Sequence, residues 1–282
     1  MAGKSESIQI SHEQLTQGDY LRIGNDLSIS TKNIWGDSET VLLKNYFIDS
    51  PDLVTAKGST LKGNIVNLLA VNSHNPNDTA IAFEDPQAIG KITTADVPVV
   101  VQRADKFIEL QKGDFIYLND VIDAKDGSVG VAFKDDSSIS VDPGAKMVID
   151  NFVYDPAEPT VGSMNANIIT GNFSFISGQI AKTGNDAMQV TTPVLTIGVR
   201  GTQVAGKANQ DGEENEIVLL PNEDGTVGQV MITNQSGSVL LTEAYQATTI
   251  ATALQPPTVP VILPKAIVLK KFADTIITNR KV

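Results

Sequence analysis

The sequence predicts an all-β protein, and three observations support this fold class. From residue 89 onward the chain is a series of short β-branched segments. Turn residues separate these segments, as at Asp126-Gly127, Asp142-Pro143-Gly144 and Asp224-Gly225. Aromatic residues make up only 5 % of the chain, so Val, Ile and Leu must form the core. Short strands with frequent turns are typical of a sandwich, barrel or solenoid, and the small side chains favour short stacked strands. No repeat of fixed period identifies a regular solenoid.

Composition limits the classes of protein and partner. The 282 residues are enough for one large domain or two smaller ones. Hydrophobic residues make up 41 % and charged residues 19 % of the chain, as in folded proteins. A net charge of −12 repels phosphate backbones, so we expect no nucleic-acid partner. The absence of cysteine excludes disulfides, thiolate zinc sites and cysteine nucleophiles.

The first part of the chain predicts a small β-rich module over residues 1–71. Apolar residues alternate with polar ones, which indicates strands over residues 18–47: Leu21 and Ile23, Leu27 and Ile29, Val41 and Leu43. A short helix follows, with Leu61, Ile65, Leu68 and Leu69 on one face. That face either packs on the strands or docks a partner. The polar, turn-rich residues 72–88 are the predicted linker.

A larger β domain is predicted over residues 89–251. Its expected strands are 97–103, 114–118, 128–134, 145–149, 168–176, 187–192, 194–199, 216–220, 227–233 and 238–241. Residues 252–282 form the predicted tail, in which the proline-rich part is extended and stiff. A helix follows Pro264, with Leu269, Phe272, Ala273 and Ile276 on one face. This helix either docks on the body or acts as a C-terminal export signal.

The segment from Met188 to Gly206 carries the most specific pattern in the chain. Two short β-branched runs flank Thr192-Pro193, and Gly198 lies just before the turn Arg200-Gly201-Thr202. Arg200 is a lone cation among apolar residues, which predicts a buried guanidinium bonded to carbonyls or a carboxylate. A ligand contact is the alternative. The strand, Thr-Pro, strand and Arg-Gly-Thr order resembles the FecR-domain family.

Further segments follow the order of the same family. They are Gly113-Asp114, the strand from Gly130, the proline turn at Asp142-Pro143 and the strand that includes Gly178-Gln179-Ile180. The resemblance spans about residues 89–251 and implies a β domain in an envelope or surface setting, without implying a reaction. The motif residues Thr192, Pro193, Gly198, Arg200, Gly201 and Thr202 are interpreted as structural. The N-terminal strands resemble the prefix module of large bacterial surface adhesins.

Few residues suggest chemistry, and no catalytic residue is predicted. His12 and His74 lie far apart in polar surroundings, and no nucleophile elbow, phosphate-binding loop or zinc-binding helix motif occurs. Trp35 is either a local hydrophobic plug or a residue that stacks on a sugar. The acidic loop 209–216 is either solvated or a Ca²⁺ site, although Lys207 occupies the first ligand position of an EF-hand. We therefore predict no cofactor and no metal, with Ca²⁺ as the minor alternative.

These patterns predict a non-enzymatic structural or binding protein. The main hypothesis is an adhesin-like protein of the envelope or cell surface of a Gram-negative bacterium, either whole or a fragment of a larger adhesin. The alternative is a soluble sensory or regulatory module that binds a protein partner or a small ligand. The N-terminus lacks an apolar signal region and no segment is long enough for a membrane helix, so the expected route is one-step, type I-like export. The expected location is extracellular or cell-surface, with the periplasm as alternative, and a protein partner or self-association is expected.

Overall fold

About 50 % of the chain forms β-strands, which confirms the predicted all-β class with a short terminal helix. A computed structural model describes residues 7–32, 38–72, 88–158, 160–209 and 212–280. Trp35, His74 and nearly all of the predicted linker lie outside these residues. The described chain consists of an N-terminal module, two large β-sheets and two C-terminal helices.

The N-terminal module contains two small sheets and three short helices. Its elements are β1 (Ile8–Gln9), α1 (His12–Gln17), β2 (Asp19–Ile23), β3 (Asp26–Lys32), β4 (Ser38–Leu43), α2 (Tyr46–Asp49), β5 (Leu53–Val54), β6 (Thr60–Leu61), α3 (Gly63–Leu69) and β7 (Val71–Asn72). One sheet has the order β4-β3-β2-β7 and the other β1-β5-β6. The predicted strands are present, with Leu27 and Ile29 buried, and the predicted helix is present as α3. Leu61, which was expected on the face of this helix, lies in β6 instead, because the helix begins only at Gly63. In β2, however, Tyr20 is the buried residue and Leu21 and Ile23 are exposed.

The two large sheets are formed by the strands from β8 to β24. These are β8 (Ala88–Ala95), β9 (Val99–Arg103), β10 (Lys106–Leu110), β11 (Phe115–Tyr117), β12 (Val121–Ala124), β13 (Val129–Phe133), β14 (Ser138–Val141), β15 (Ala145–Tyr154), β16 (Gly162–Ile176), β17 (Met188–Thr191), β18 (Thr196–Arg200), β19 (Gln203–Ala208), β20 (Asn215–Leu220), β21 (Gln229–Asn234), β22 (Gly237–Leu241), β23 (Gln246–Ile250) and β24 (Val261–Ile262). A 3₁₀ turn covers Ile180–Lys182. All ten strands predicted in this region are present, and β8, β10, β12, β14, β19, β23 and β24 were not predicted.

Strand pairing divides these strands between two sheets. The module-side sheet has the order β10-β9-β12-β15-β16-β17-β18-β21-β22. The helix-side sheet has the order β11-β8-β13-β14-β16-β19-β20-β23-β24. Neighbours in both sheets are antiparallel, except that β16 and β17 are parallel.

The long strand β16 belongs to both sheets and joins them. Its first part pairs with β15, whereas its last part pairs with β14 and β19. At the bend Gly171 has φ +103°, and a Cβ atom there would lie 2.4 Å from the Cβ of Ala145. Only glycine combines this backbone conformation with so close an approach. The chain therefore passes from one sheet to the other without a loop.

A single apolar core fills the space between the two sheets, and each outer face is also covered. In β20, Ile217 and Leu219 point into this core, whereas Val218 and Leu220 pack under the C-terminal helices. The helices α4 (Lys265–Lys271) and α5 (Ala273–Arg280) dock there through Val268, Phe272 and Ile276. The terminal helices thus dock on the body, which is one of the two alternatives that the sequence left open. The N-terminal module covers the other face, where Val121, Val148 and Ile169 join its core.

Candidate functional site

Thr192 and Pro193 form the turn between β17 and β18. The Thr192 hydroxyl oxygen accepts the N–H groups of Val194 at 3.3 Å and Leu195 at 3.2 Å. The Thr192 N–H donates to the Leu195 carbonyl at 2.8 Å, and the Pro193 carbonyl accepts the N–H of Thr60 at 2.7 Å. The turn is therefore closed by its own side chain and also touches the N-terminal module.

The Arg200-Gly201-Thr202 turn carries the chain from the module-side sheet to the helix-side sheet. Gly201 has φ +65°, a left-handed conformation that suits glycine. The Thr202 side chain is buried, and its hydroxyl donates to the Leu220 carbonyl at 3.0 Å. The Thr202 N–H donates to Ser177 Oγ at 2.7 Å. Gly198 lies within β18, opposite Gln189 and Met231.

Arg200 does not have the buried guanidinium that the sequence predicts. It is half-buried, and its Nε donates to the Asn185 carbonyl at 3.4 Å. Within the described ranges it forms no ion pair. The reason is its position as the last residue of β18, from which a long side chain reaches solvent at the end of the sheet.

A bidentate ion pair involves a different arginine, which the sequence analysis did not single out. Arg103 Nε and Nη2 donate to Asp120 Oδ1 and Oδ2 at 2.8 and 2.7 Å, and Asp120 is 1 % exposed. The guanidinium lies 4.3 Å from the centre of the Tyr117 ring and donates to the Phe115 carbonyl at 3.1 Å. The hydrogen bond to Asp120 raises the pKa of Arg103. This bidentate pair links β9, β11 and the start of β12.

A second buried carboxylate, Asp135, is surrounded by donors. Its oxygens accept the Ser137 N–H at 3.1 Å, the Ser137 hydroxyl at 2.5 Å and the Ile180 N–H at 3.2 Å. A Cβ atom on Gly178 would lie 2.1 Å from the Asp135 carbonyl oxygen, so only glycine allows the segment to approach. The expected strand at Gly178-Gln179-Ile180 is wrong: β16 ends at Ile176, and the contacts with Asp135 hold this segment in a turn.

Asp142 lies near the C-terminal helices and is less completely paired. Its Oδ2 accepts the Asn172 amide at 3.1 Å, whereas its buried Oδ1 has no hydrogen-bond partner among the described residues. Burial raises the pKa of Asp142; the Asn172 hydrogen bond opposes this shift, and the charge of Asp274 in α5 adds to it.

Possible metal ligands do not come together in the described part of the chain. No group of three or more His, Asp or Glu side chains is close enough to hold a metal there. In the acidic loop, Gln210 and Asp211 lie outside the described residues. Glu216 forms an ion pair with Lys271 of α4 at 2.5 Å, so this carboxylate already holds a helix. His12 begins α1, with its Nε2 3.2 Å from the Thr16 hydroxyl.

Two pockets on the described surface are very small. One, between the 97–100 and 123–129 segments, has a volume of about 20 Å³, and the other, next to Pro193, about 10 Å³. A single water needs roughly 10–15 Å³ by this measure. Small-molecule sites usually enclose about 300–1,000 Å³.

Several apolar side chains are exposed where the chain leaves the helix-side sheet. Those of Val259, Val261, Ile262 and Ile267 are 85, 56, 61 and 53 % exposed. The segment is held to β23 by the Leu263 N–H, which donates to the Tyr245 carbonyl at 3.0 Å. The Thr258 N–H likewise donates to the Thr249 carbonyl at 3.0 Å. The sequence predicted this tail as extended but gave no sign that its side chains would stay uncovered.

Comparison with known proteins identifies the domain. Residues 119–223 match the FecR protein family. Two crystal structures, at 1.65 and 2.50 Å, of a "putative anti-sigma factor" from Parabacteroides distasonis ATCC 8503 share 12 % identity with the chain at a TM-score of 0.39. Each match covers 55 % of this chain, and it covers 74 and 73 % of the chains in the two crystal structures.

No curated protein matches. In the described ranges no helix is long and apolar enough to span a membrane. The chain thus contains a FecR domain, as the sequence motifs indicate.

Proposed function

We propose that this protein is a non-enzymatic regulatory module of the bacterial envelope that binds a protein partner. The observation that carries the proposal is the FecR domain at residues 119–223. It supports the regulatory alternative more than the adhesin hypothesis. Adhesin activity, type I export and a cell-surface location have no support from the comparisons.

Neither of the two described pockets is suited to a small ligand, because volumes of about 20 and 10 Å³ hold little more than a water molecule. A protein partner would contact exposed side chains instead, and apolar ones such as Val259 are available to it.

The buried charged groups support a structural role for the site residues. Asp120 and Asp135 both accept several hydrogen bonds from fixed donors, so neither is poised to take a proton from a substrate. We infer the same role for the family motif. Thr192 and Pro193 hold one turn, Gly201 and Thr202 hold the crossover, and Gly198 and Arg200 lie in the strand between them.

We propose the division of the chain that the sequence predicts: a module at 1–71, a linker at 72–88, a FecR-like domain at 89–251 and a tail at 252–282. The sheets begin at Ala88 and end at Ile262, beyond both limits of the family match. We therefore expect the matched segment to need its flanking strands in order to fold.

Crosslinking in the native host tests the function. We expect a tagged full-length chain to crosslink to one envelope protein, and the two purified proteins to bind each other. A tagged protein of similar size and charge is the control. If the chain enriches the same proteins as this control, or if the enriched protein does not bind in purified form, the proposal is wrong.

A further inference from the structure

Strand β22 ends the module-side sheet and leaves one side of its backbone unpaired. A two-residue turn joins it to β21, so Asn234 and Gly237 form the hydrogen-bonded pair at the end of the hairpin. Because hydrogen-bonded and non-hydrogen-bonded pairs alternate from there, Ser238 and Leu240 direct their N–H and C=O groups away from β21. Both residues are exposed, and their backbone groups bond to no other residue that the structure describes.

The other three end strands of the two large sheets carry protection that β22 lacks. Sheet edges are commonly protected by charged residues, by proline or by very short strands. Strand β10 contains Lys106 and Glu109. Strand β11 has three residues, and Arg103 Nη2 donates to the Phe115 carbonyl at 3.1 Å. Strand β24 has two residues and directly follows Pro260. The five residues of β22 include neither a charge nor a proline, so this edge is open to another strand.

The β21–β22 hairpin is also neutral within a strongly acidic protein. The chain has a net charge of −12, yet residues 225–242 contain no Asp, Glu, Lys or Arg. Like charges placed opposite each other destabilise a strand pair, and acidic surfaces of two copies repel each other. Two copies of β22 meet without such an opposition. The neutral edge therefore suits a second copy of this chain.

We propose that β22 pairs with β22 of a second copy, so that the module-side sheet continues across a twofold axis. Antiparallel pairing centred on Val239 places Ser238 of each copy opposite Leu240 of the other. The outward backbone groups then meet, and each of these two pairs exchanges two hydrogen bonds. The two Leu240 side chains lie diagonally on one face, at about 7–8 Å. The Val239 side chains, which already pack against the core, lie opposite each other on the other face. This contact does not depend on the proposed regulatory function.

Sedimentation velocity of the full-length chain tests the proposal. A strand pair of this length buries less than the roughly 1,200 Å² of stable interfaces, so we expect a weak dimer with a dissociation constant of about 10–100 µM. A concentration series from about 1 µM to about 1 mM covers this range. The sedimentation coefficient should rise with concentration from that of a monomer to that of a dimer.

Proline substitution tests the hydrogen bonds of the edge. Leu240→Pro removes an N–H that faces away from β21, so the hairpin keeps its own hydrogen bonds and the dimer loses two. We expect the dissociation constant to rise by about tenfold or more. Phe107→Pro is the matched control, because it removes an outward N–H from β10 at the other end of the same sheet. Circular dichroism shows whether each variant is folded.

A charge exchange tests the twofold contact without proline. Leu240→Lys and Leu240→Glu should each be monomeric, since two like charges meet on one face. A mixture of these two variants should form a dimer again, because the charges are then opposite. Phe107→Lys and Phe107→Glu, at an exposed position of β10, should each dimerise like the wild type.

Three results would overturn the proposal. They are a monomer at every concentration, a dimer that persists in folded Leu240→Pro or in both charge variants, and a mixture of the charge variants that stays monomeric. A monomeric chain that still crosslinks to an envelope protein would refute this contact and leave the proposed function standing.

Discussion

The two outer faces of the sandwich are covered in different ways. The N-terminal module has a core of its own, which includes Leu15, Leu27 and Ile29 and takes only Val121, Val148 and Ile169 from the sheet beneath it. The C-terminal helices have no such core. Val268, Phe272 and Ile276 all pack on sheet residues, namely Ala205, Val218, Leu220 and Ala247. The difference indicates that the module is a folding unit, whereas the helices depend on the sheet.

The polar contacts of the two covers differ as well. The module touches the sandwich through separate hydrogen bonds, such as those from Gln102 Nε2 to the Leu68 and Leu69 carbonyls at 3.0 and 3.5 Å. Under α5, Ser138 donates to Asn279 Oδ1 at 2.6 Å, and the Asn279 amide donates to Ser174 at 3.2 Å. Buried paired groups fix one arrangement, because any shift leaves them unpaired. The helices therefore have one register on the sheet.

Arg103→Ala should lower the free energy of unfolding more than any other variant proposed here. It should destabilise both the N-terminal module and the C-terminal helices, because it affects the sandwich beneath them. It leaves Asp120 buried without its cation, which costs about 3 kcal/mol. Chemical denaturation measures this loss. Lys106→Ala, in the same hairpin but exposed, is the control and should change the free energy of unfolding by less than about 0.5 kcal/mol. Equal stability of the two variants would contradict the structural role of the Arg103–Asp120 pair.

Phe272→Ala should loosen the C-terminal cover and leave the N-terminal module in place. Removing this buried ring costs about 3 kcal/mol or more. Limited proteolysis should then cleave first within residues 265–280. Ile267→Ala, at an exposed position of α4, should resemble the wild type. Early cleavage in the N-terminal module instead would contradict the claim that only the C-terminal helices depend on Phe272.

Asn279→Ala should have a smaller effect on the same cover. It leaves the buried Ser138 hydroxyl without its acceptor, at a cost of about 1–2 kcal/mol. Adding Ser138→Ala removes the unpaired hydroxyl and should restore part of the loss. Thermal melts of the single and double variants measure both steps. A double variant less stable than Asn279→Ala would argue against this account.

Asp142→Asn should produce the smallest effect, and that effect should depend on pH. The pKa of Asp142 is raised in the folded chain, so the native state holds this proton more tightly than the unfolded chain does. Stability therefore falls as pH rises from the ordinary value of 3.8 through the raised pKa. The variant should be more stable than wild type at neutral pH, and the difference should vanish in acid. Melts at several pH values measure this, and a difference that grows in acid would contradict it.

Local pattern predicted strands well where one face of the strand was polar. Alternation in β3 indicated the buried Leu27 and Ile29 correctly. It failed for β14, where all four residues of Ser138-Ile139-Ser140-Val141 are buried. Two serines at alternate positions suggest a solvated face, yet this face lies under α5, more than a hundred residues further along the chain. Local sequence contains no information about such a distant cover.

The two arginines show the same limit at the candidate site. Arg200 lies in an apolar run, which suggested burial, whereas Arg103 ends the predicted strand 97–103 and nothing in the sequence around it suggested a buried partner. In the structure it is Arg103 that meets a buried carboxylate. A charged side chain pairs with a buried partner only if the ends of their two strands lie side by side. The order of the strands in the sheet, which the local sequence does not give, determines this. Turn chemistry is local, so the turns at Thr192-Pro193 and Gly201 could be predicted.

Hydrogen exchange of the intact chain in increasing denaturant tests the difference between the two covers most directly. Regions that unfold separately lose protection at separate denaturant concentrations. We predict that α4 and α5 lose protection first, followed by the N-terminal module as one unit, while the strands around β16 stay protected longest. Loss of protection in the module before the helices, or in all three regions together, would contradict this account.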